Sequence, residues 1–418
     1  MKIRAVTVGA PVSAPLDVRL IGRAAGIATS VAEALAGAGY EVQTVRLATP
    51  PLERVLGEGD AAKRCVQVAV ELDSLSQEAG FGYVTLGALD TFANDSKMLL
   101  EAVPEVIAST QTVFCAASVG SRRQGINLGG ARACGELVAR VGAQTEDGFG
   151  NLRFAALANC SPHIPFFPAA YHDGGDRLTV GIALEAADVA VEAFEGAGTL
   201  QEAQERLCRR LAGATAEVEL RVRQAIGVRR DVEVTGVDLS LAPFPADDRS
   251  IAHAFERLGL PAFGAHGTLF TASFLTGCLQ QVWESTSGQA RGEKRFGFSG
   301  LMLPVLEDSV LAARAAEGRF GVDSLLLYSA VCGLGLDTVP LPGDTSPEEL
   351  GAIILDMAAL AVRLDKPLTA RLFPVPGKRA GDPVSWDFAF FAPSRVLPVR
   401  GMGLGGVLAA TAAYNPAL

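Results

Sequence analysis

Short apolar runs alternate with longer stretches of helical spacing along the whole chain. Residues 3–8, 83–86, 112–116, 152–158, 178–182, 232–238 and 368–373 are β-branched or apolar and bounded by turn formers, which predicts strands. Residues 19–38 predict a helix closed by Gly37 and Gly39, ahead of a further strand over 40–46. Thr199 and Glu202 form a capping-box pattern that opens a helix running to about residue 225. Ser346-Pro347-Glu348-Glu349 places a serine N-cap, a proline at the first helical position and a glutamate at the third before apolar residues at helical spacing over 350–364. This alternation implies a largely parallel sheet covered by helices, wound open or closed as a barrel. No internal repeat or low-complexity linker divides the chain, so one large α/β domain over 1–418 is expected.

Composition narrows the class. A chain that is 49% hydrophobic and 20% charged builds a sizeable core. Its 46 glycines show no collagen-like period and mark many tight strand-to-helix turns. The net charge of −10 argues against nucleic acid as a partner. Seven cysteines form no Cys-x-x-Cys pair, and Arg4, Pro11, Pro15 and Asp17 interrupt any apolar leader, so a cytoplasmic protein with reduced thiols is expected. Mean hydropathy is positive, yet no run of roughly 18 apolar residues reads as a membrane span.

Parallel strands gather ligands at their carboxyl ends, which directs attention to the loops there. Gly401-x-Gly403-x-x-Gly406 has the outline of a dinucleotide motif, but only 12 residues follow Gly406, too few to reach an acidic residue about 20 positions on, and no P-loop is present. The loop Gly120-Ser121-Arg122-Arg123-Gln124-Gly125-Ile126-Asn127, running on to Gly130 before a helical stretch, suits an anion through backbone N–H groups and two guanidinium groups. Residues 158–173 hold Asn159, Cys160, His163, His172 and Asp173 among prolines and aromatics. They read as a pocket wall or as a zinc, iron or manganese set. Asp238 and Ser240 flank one residue at a strand end, so their side chains point the same way. His266 lies between glycines, open to proton transfer, with Thr268 beside it; His253 belongs to a helical run. Cys332 leads into Asp337 through Gly333 and Gly335, as a nucleophile or a buried thiol, and Ser299 with Glu307 and Asp308 adds a further wall.

Taken in order, these segments resemble, nearly end to end, the family called domain of unknown function 711, or uncharacterised protein family 0210. The resemblance rests on residues 3–9, on Gly120-Ser121 with Gly125-Ile126-Asn127, and on Ala158-Asn159 with Pro165-Phe166 and His172. It continues through 236–243, His266-Gly267-Thr268, Ser299-Gly300 with Pro304, Glu307-Asp308, and Cys332 to Asp337. It implies the fold of pyruvate formate-lyase and other glycyl radical enzymes, a ten-stranded α/β barrel of two half-barrels of parallel strands. It does not imply their chemistry. The nearest counterpart of a radical loop, Arg395-Val396-Leu397-Pro398-Val399, has proline at the radical position, which lacks the two-hydrogen α-carbon. The family's pattern has neither Cys160 nor His163 at these positions, and some relatives are thought to be encoded beside a small ACT-domain protein, an implied partner.

Three readings stay open, and whether the protein is an enzyme stays open with them. The first is a non-radical enzyme acting on a small polar or anionic metabolite in a barrel-centre pocket. In it Asp238 or His266 moves a proton and Cys332 is nucleophile or lining. Gly120, Ser121, Arg122, Asn127, Asn159, His172, Ser240, Thr268, Ser299 and Asp337 bind the substrate. The second is a metabolite-binding or regulatory protein without turnover, and the third a metal-dependent enzyme using His163 and His172. Asn159, His172, Asp238, His266 and Cys332 are expected to converge on one pocket. No cofactor is assigned, and a homo-oligomer is left open.

Overall fold

The computed structural model describes residues 1–57, 61–286, 296–401 and 403–415; Met402, within the Gly401–Gly406 motif, and the last three residues lie outside the described residues. Ten strands of the main sheet are β1 (Lys2–Gly9), β2 (Val45–Pro51), β3 (Tyr83–Asp90), β4 (Val113–Ser121), β5 (Gly125–Asn127), β6 (Phe154–Ala158), β7 (Leu178–Glu185), β8 (Val232–Asp238), β9 (Gly335–Pro342) and β10 (Leu368–Val375). The sheet is mixed but mostly parallel and eleven-stranded, in the order β8-β7-β1-β2-β3-β4-β6-β10-β9. β5 and the short pair Ala413–Tyr414 lie off this path.

The path divides by direction. β1, β2, β3, β4 and β6 run parallel to one another. β7 is antiparallel to β1 and carries β8 parallel to itself, while β10 is antiparallel to β6 and carries β9. The central strands are buried on both faces, which is why they read as continuous apolar runs without alternation. The ten-stranded closed barrel is not formed as a continuous ladder among the described residues. Between the edges β8 and β9 lie only two isolated parallel bridges, Leu241 with Leu301 and Pro304 with Asp337. Pro304 has no N–H to extend a ladder, and Ser299 just before it turns at φ 35°.

Helices follow the capping chemistry. Asp17 caps Val18–Gly37 by accepting from the Arg19 N–H at 2.8 Å. At Pro347–Leu364 the capping box is complete, Ser346 Oγ accepting from Glu349 N at 3.2 Å and Glu349 Oε2 from Ser346 N at 2.9 Å. At Leu200–Ile226 Thr199 accepts from Glu202 N, but Glu202 returns to Gly198 N instead. The helices Leu128–Gln144 and Pro347–Leu364 cross at Gly135, where a Cβ would stand 2.3 Å from Pro347 O. Two expected strands move. Residues 40–44 make one isolated bridge, Val42 with Ile3, and β2 starts at the buried run from Val45. The segment from Cys332 to Asp337, apolar apart from its glycines and the closing Asp337 and so also strand-like in sequence, begins pairing only at Gly335, whose positive φ lets its backbone press on Thr369.

Candidate functional site

The interior cavity lies at the amino ends of the first set of strands. Arg4 is the third residue of β1, Arg46 the second of β2, Tyr83 the first of β3 and Phe114 the second of β4, and all four line it. Ala242 and Pro243, just past β8, Asp337 on β9 and Thr369 and Arg371 on β10 line it from the oppositely running strands. The empty volume is about 790 Å3, counting the solvent at its open mouth.

Its charges form one buried network. Arg4 Nη1 donates to Glu185 at 3.1 Å and its Nη2 to Glu307 Oε2. Arg371 Nη2 donates to Glu307 Oε1 at 2.6 Å, and its Nε to Asp337 Oδ1 at 2.5 Å. Glu307 therefore spends one oxygen on each arginine. It is held in place because Asp308, next in the chain, accepts from Ser250 Oγ and from Ile251, Ala252 and Leu311 N–H groups. Burial raises Asp337, against the pull of Arg371, and raises Glu185, against Arg4. Thr338, a β-branched residue at φ 45°, kinks the backbone directly after Asp337, the kind of strain that collects at functional sites.

Arg46 differs from the other two arginines. It is 7% exposed, yet its one hydrogen bond is Nε to Thr44 Oγ1 at 2.8 Å, and no carboxylate among the described residues is within ion-pair distance. Its guanidinium lies 5.2 Å from the Phe167 ring and 5.5 Å from the Tyr83 ring. Burial first, and then the Arg4 charge, pull it down to about 9. Nη1 and Nη2 donate to no acceptor among the described residues and are not fully enclosed, facing the cavity's open space. A guanidinium with open donors on a cavity has the charge and the geometry that pair with an anion.

The expected site residues are distributed elsewhere. Gly120, Ser121, Arg122 and Asn159 line an outer cleft of about 1470 Å3, open to solvent, at the carboxyl ends of β3, β4 and β6. There Asn159, at φ 57°, accepts from Arg122 N at 3.1 Å and donates to Asp365 at 3.0 Å. Asn127 caps the helix Leu128–Gln144 through Gly130 N. Asp238 is fully buried and accepts from Ser240 N and Oγ, Phe298 N and Ser299 N, pinning segment 296–300 to the end of β8. Gly297, at φ 65°, is required beside it, since a Cβ would come within 2.2 Å of Asp238 Oδ2. Burial pushes the Asp238 carboxyl up to about 6 against these four donors. Ser240 Oγ also accepts from Gly300 N, and Ser299 Oγ from Leu239 N. Thr268 Oγ1 closes a turn with Gly264 and Ala265, and His266 is exposed in that turn. Cys332 is 1% exposed in the main core, with Lys366 donating to its carbonyl.

His172 is fully buried, and both ring nitrogens are engaged by backbone: Gly174 N donates to Nδ1 at 3.0 Å, so Nε2 donates to Arg177 O at 2.9 Å. Cys160 Sγ turns to the carbonyls of Ala158 and Leu368, and His163 stands 3.5 Å from Asp173. No group of three or more His, Cys, Asp or Glu side chains among the described residues is gathered to hold a metal. Asn159, His172, Asp238, His266 and Cys332 thus do not share one pocket; of the expected residues Asp337, and Glu307 from the further wall, line the interior cavity. Arg46 and Arg371 are not among the residues that the sequence singles out. Their signal is one arginine inside an otherwise apolar strand, in Val45-Arg46-Leu47 and Ala370-Arg371-Leu372.

Fold and site together describe a mixed α/β protein with an ion-paired interior cavity. The chain belongs to the family described as uncharacterised ACR (DUF711), whose model matches residues 1–387. Similar proteins include a UPF0210 protein of Pyrobaculum arsenaticum, 35% identical over 355 residues, covering 82% of this chain and 76% of its own. UPF0210 proteins of Desulforudis audaxviator and Neisseria meningitidis are 31% and 30% identical, each alignment covering 87% of this chain and 80% of the relative. No helix among the described residues is long and apolar enough to cross a membrane.

Proposed function

We propose that the protein is an enzyme that takes a small anionic metabolite into the interior cavity, with Arg46 binding the anion and Asp337 transferring a proton. Arg46 carries the reading, as a buried guanidinium with four of its five N–H donors unused. Asp337 is assigned the proton because Glu307 has both oxygens committed to arginines, whereas Asp337 commits only Oδ1. Its carboxyl, raised by burial, is closer to the range where it can both give and take a proton. In this reading residues 1–418 act as one domain. Segment 300–305, bridged to Leu241 on one side and Asp337 on the other, takes the tenth position of a barrel around the cavity.

The test is capture of small anions from a metabolite extract, read by mass spectrometry after native purification. Wild type is expected to retain an anion and release it chemically changed, Asp337→Asn to retain it unchanged, and Arg46→Met to retain none. Arg46→Met is expected to fold at least as stably as wild type, because it removes an unpaired buried charge. Retention of the same anion by a folded Arg46→Met overturns the reading. Release of unchanged anion from both wild type and Asp337→Asn replaces the enzyme with a binding protein without turnover.

A further inference from the structure

The walls of the cavity specify more than a charge, and the ligand class they select rests on the reading of Arg46 as the anion's anchor. Three arginines, Arg4, Arg46 and Arg371, line the space against two carboxylates, Glu307 and Asp337. Including the next layer, Arg249 and Glu185, gives four cations and three anions, so a single positive charge is left over either way. A monoanion balances the site, whereas a dianion would leave a buried negative charge without a partner.

Seven aromatic side chains line the same space and fall into three groups. Tyr83, Phe114 and Phe167 pack edge to face beside Arg46, with centroids 5.0 and 5.5 Å apart. Phe166 and Phe298 form a second pair at 6.4 Å, and Phe388 and Phe390 a third at 5.4 Å, with Phe390 lying 4.6 Å under the Arg4 guanidinium. Rings pair within each group, and no ring pair among the described residues joins one cavity group to another. The space between the groups is bounded by ring faces and edges that have no aromatic partner across it. Hydroxyl donors for a polyol are scarce, since the Thr369 hydroxyl already donates to Leu334 O at 3.3 Å and the only other lining hydroxyl among the described residues is Tyr83.

We infer that the cavity takes an aryl monocarboxylate, its carboxylate on the open Nη1 and Nη2 of Arg46 and its flat ring between the three aromatic groups. An aliphatic acid of equal charge would satisfy Arg46 but gain no ring contacts. A phosphate ester or sugar acid would bring excess charge or hydroxyls that the walls cannot pair.

Calorimetric titration of the full chain with trans-cinnamate, benzoate, hexanoate, benzamide, succinate and inorganic phosphate tests this. Cinnamate or benzoate is expected to bind about tenfold tighter than hexanoate, the difference two or three aromatic contacts supply. Benzamide, which keeps the ring and drops the charge, is expected not to bind, and Arg46→Met to abolish aryl-acid binding while remaining folded. If hexanoate, succinate or phosphate binds as tightly as the aryl acids and does so through Arg46, the ligand class is wrong while the anion site stands. If no anion binds wild type, or all bind Arg46→Met unchanged, the anion site itself is overturned and the ligand class with it.

Discussion

At the amino ends of β1 to β4 the charged side chains are buried, share partners and leave one guanidinium unpaired. At the carboxyl ends of β3, β4 and β6 the arginines are solvated, Arg122 beside Asp365 and Arg123 with no ion pair among the described residues, while Glu53 is half-buried with its Oε2 unpartnered. Arg4 has a side chain 9% exposed and meets Glu185 and Glu307; Arg122 is 55% exposed and stands 3.8 Å from Asp365. The same charges therefore carry different energies at the two ends. Water screens the outer pair, whereas in the cavity each cation depends on the carboxylate placed beside it. In the outer cleft Asn159 is engaged by Arg122 and Asp365, and Gln124 by Asp90, which leaves the Arg123 guanidinium to solvent. In the cavity Arg46 keeps unspent donors.

The largest break in this comparison is Glu307→Gln. It removes the carboxylate that Arg4 and Arg371 share, leaving two buried guanidinium groups in competition for a neutral amide. Losing one partner of a buried ion pair costs about 3–5 kcal/mol, and urea unfolding is expected to show a loss in that range. A loss below about 1 kcal/mol, the value of an exposed pair, would mean that the cavity charges are solvated like those of the cleft.

The same contrast governs how much was legible in the chain. Strand and helix identity came through where burial is continuous, as in β1, β6, β7 and β10, and where a cap is encoded locally, as at Ser346. Family membership came through on ordered motifs. The cavity did not. Glycine-rich loops advertise themselves by composition, and Glu307 and Asp337 stood out beside such loops, but Arg4, Arg46, Arg371 and Glu185 are single residues far apart in sequence, joined only by the sheet order. The carboxyl-end rule also pointed to one end of the strands, and in this sheet two oppositely running sets meet. The amino ends of one set therefore share a cavity with residues just past β8. Asp238 shows the limit from the other side: its link to Ser240 followed from spacing, but its use as a clamp on Phe298 and Ser299 depends on a segment about 60 residues away.

That clamp gives an intermediate effect with a definite sign. The Asp238 carboxyl sits at about 6 in the folded chain against an ordinary 3.8. Between those values the folded state binds the proton more tightly than the unfolded one, so this group's stabilisation is full below about pH 4 and is lost as pH rises through about 6. The loss amounts to about 3 kcal/mol. Asp238→Asn cannot ionise, so its urea-unfolding free energy is expected to fall less between pH 4 and pH 7 than that of wild type. An unchanged difference would show that Asp238 titrates alike in both states and that the clamp carries no buried charge.

The smallest effect decides which end of the strands is the site. Arg122→Ala removes a half-exposed guanidinium whose one ion pair, with Asp365, spans 3.8 Å, and exposed pairs contribute about 0.2–1 kcal/mol. Its unfolding free energy is expected to stay within about 0.5 kcal/mol of wild type, and its capture of anions to be unchanged, because Arg122 lines the cleft and not the cavity. The informative comparison pairs it with Arg46→Met under identical conditions. Loss of capture in Arg46→Met alone places the anion at the amino ends, where burial makes one guanidinium worth several exposed ones. Loss in Arg122→Ala alone reverses the comparison: the two arginines of the glycine-rich loop then bind the anion in the open cleft, and the Arg46 guanidinium serves only to pack against the Tyr83 and Phe167 rings.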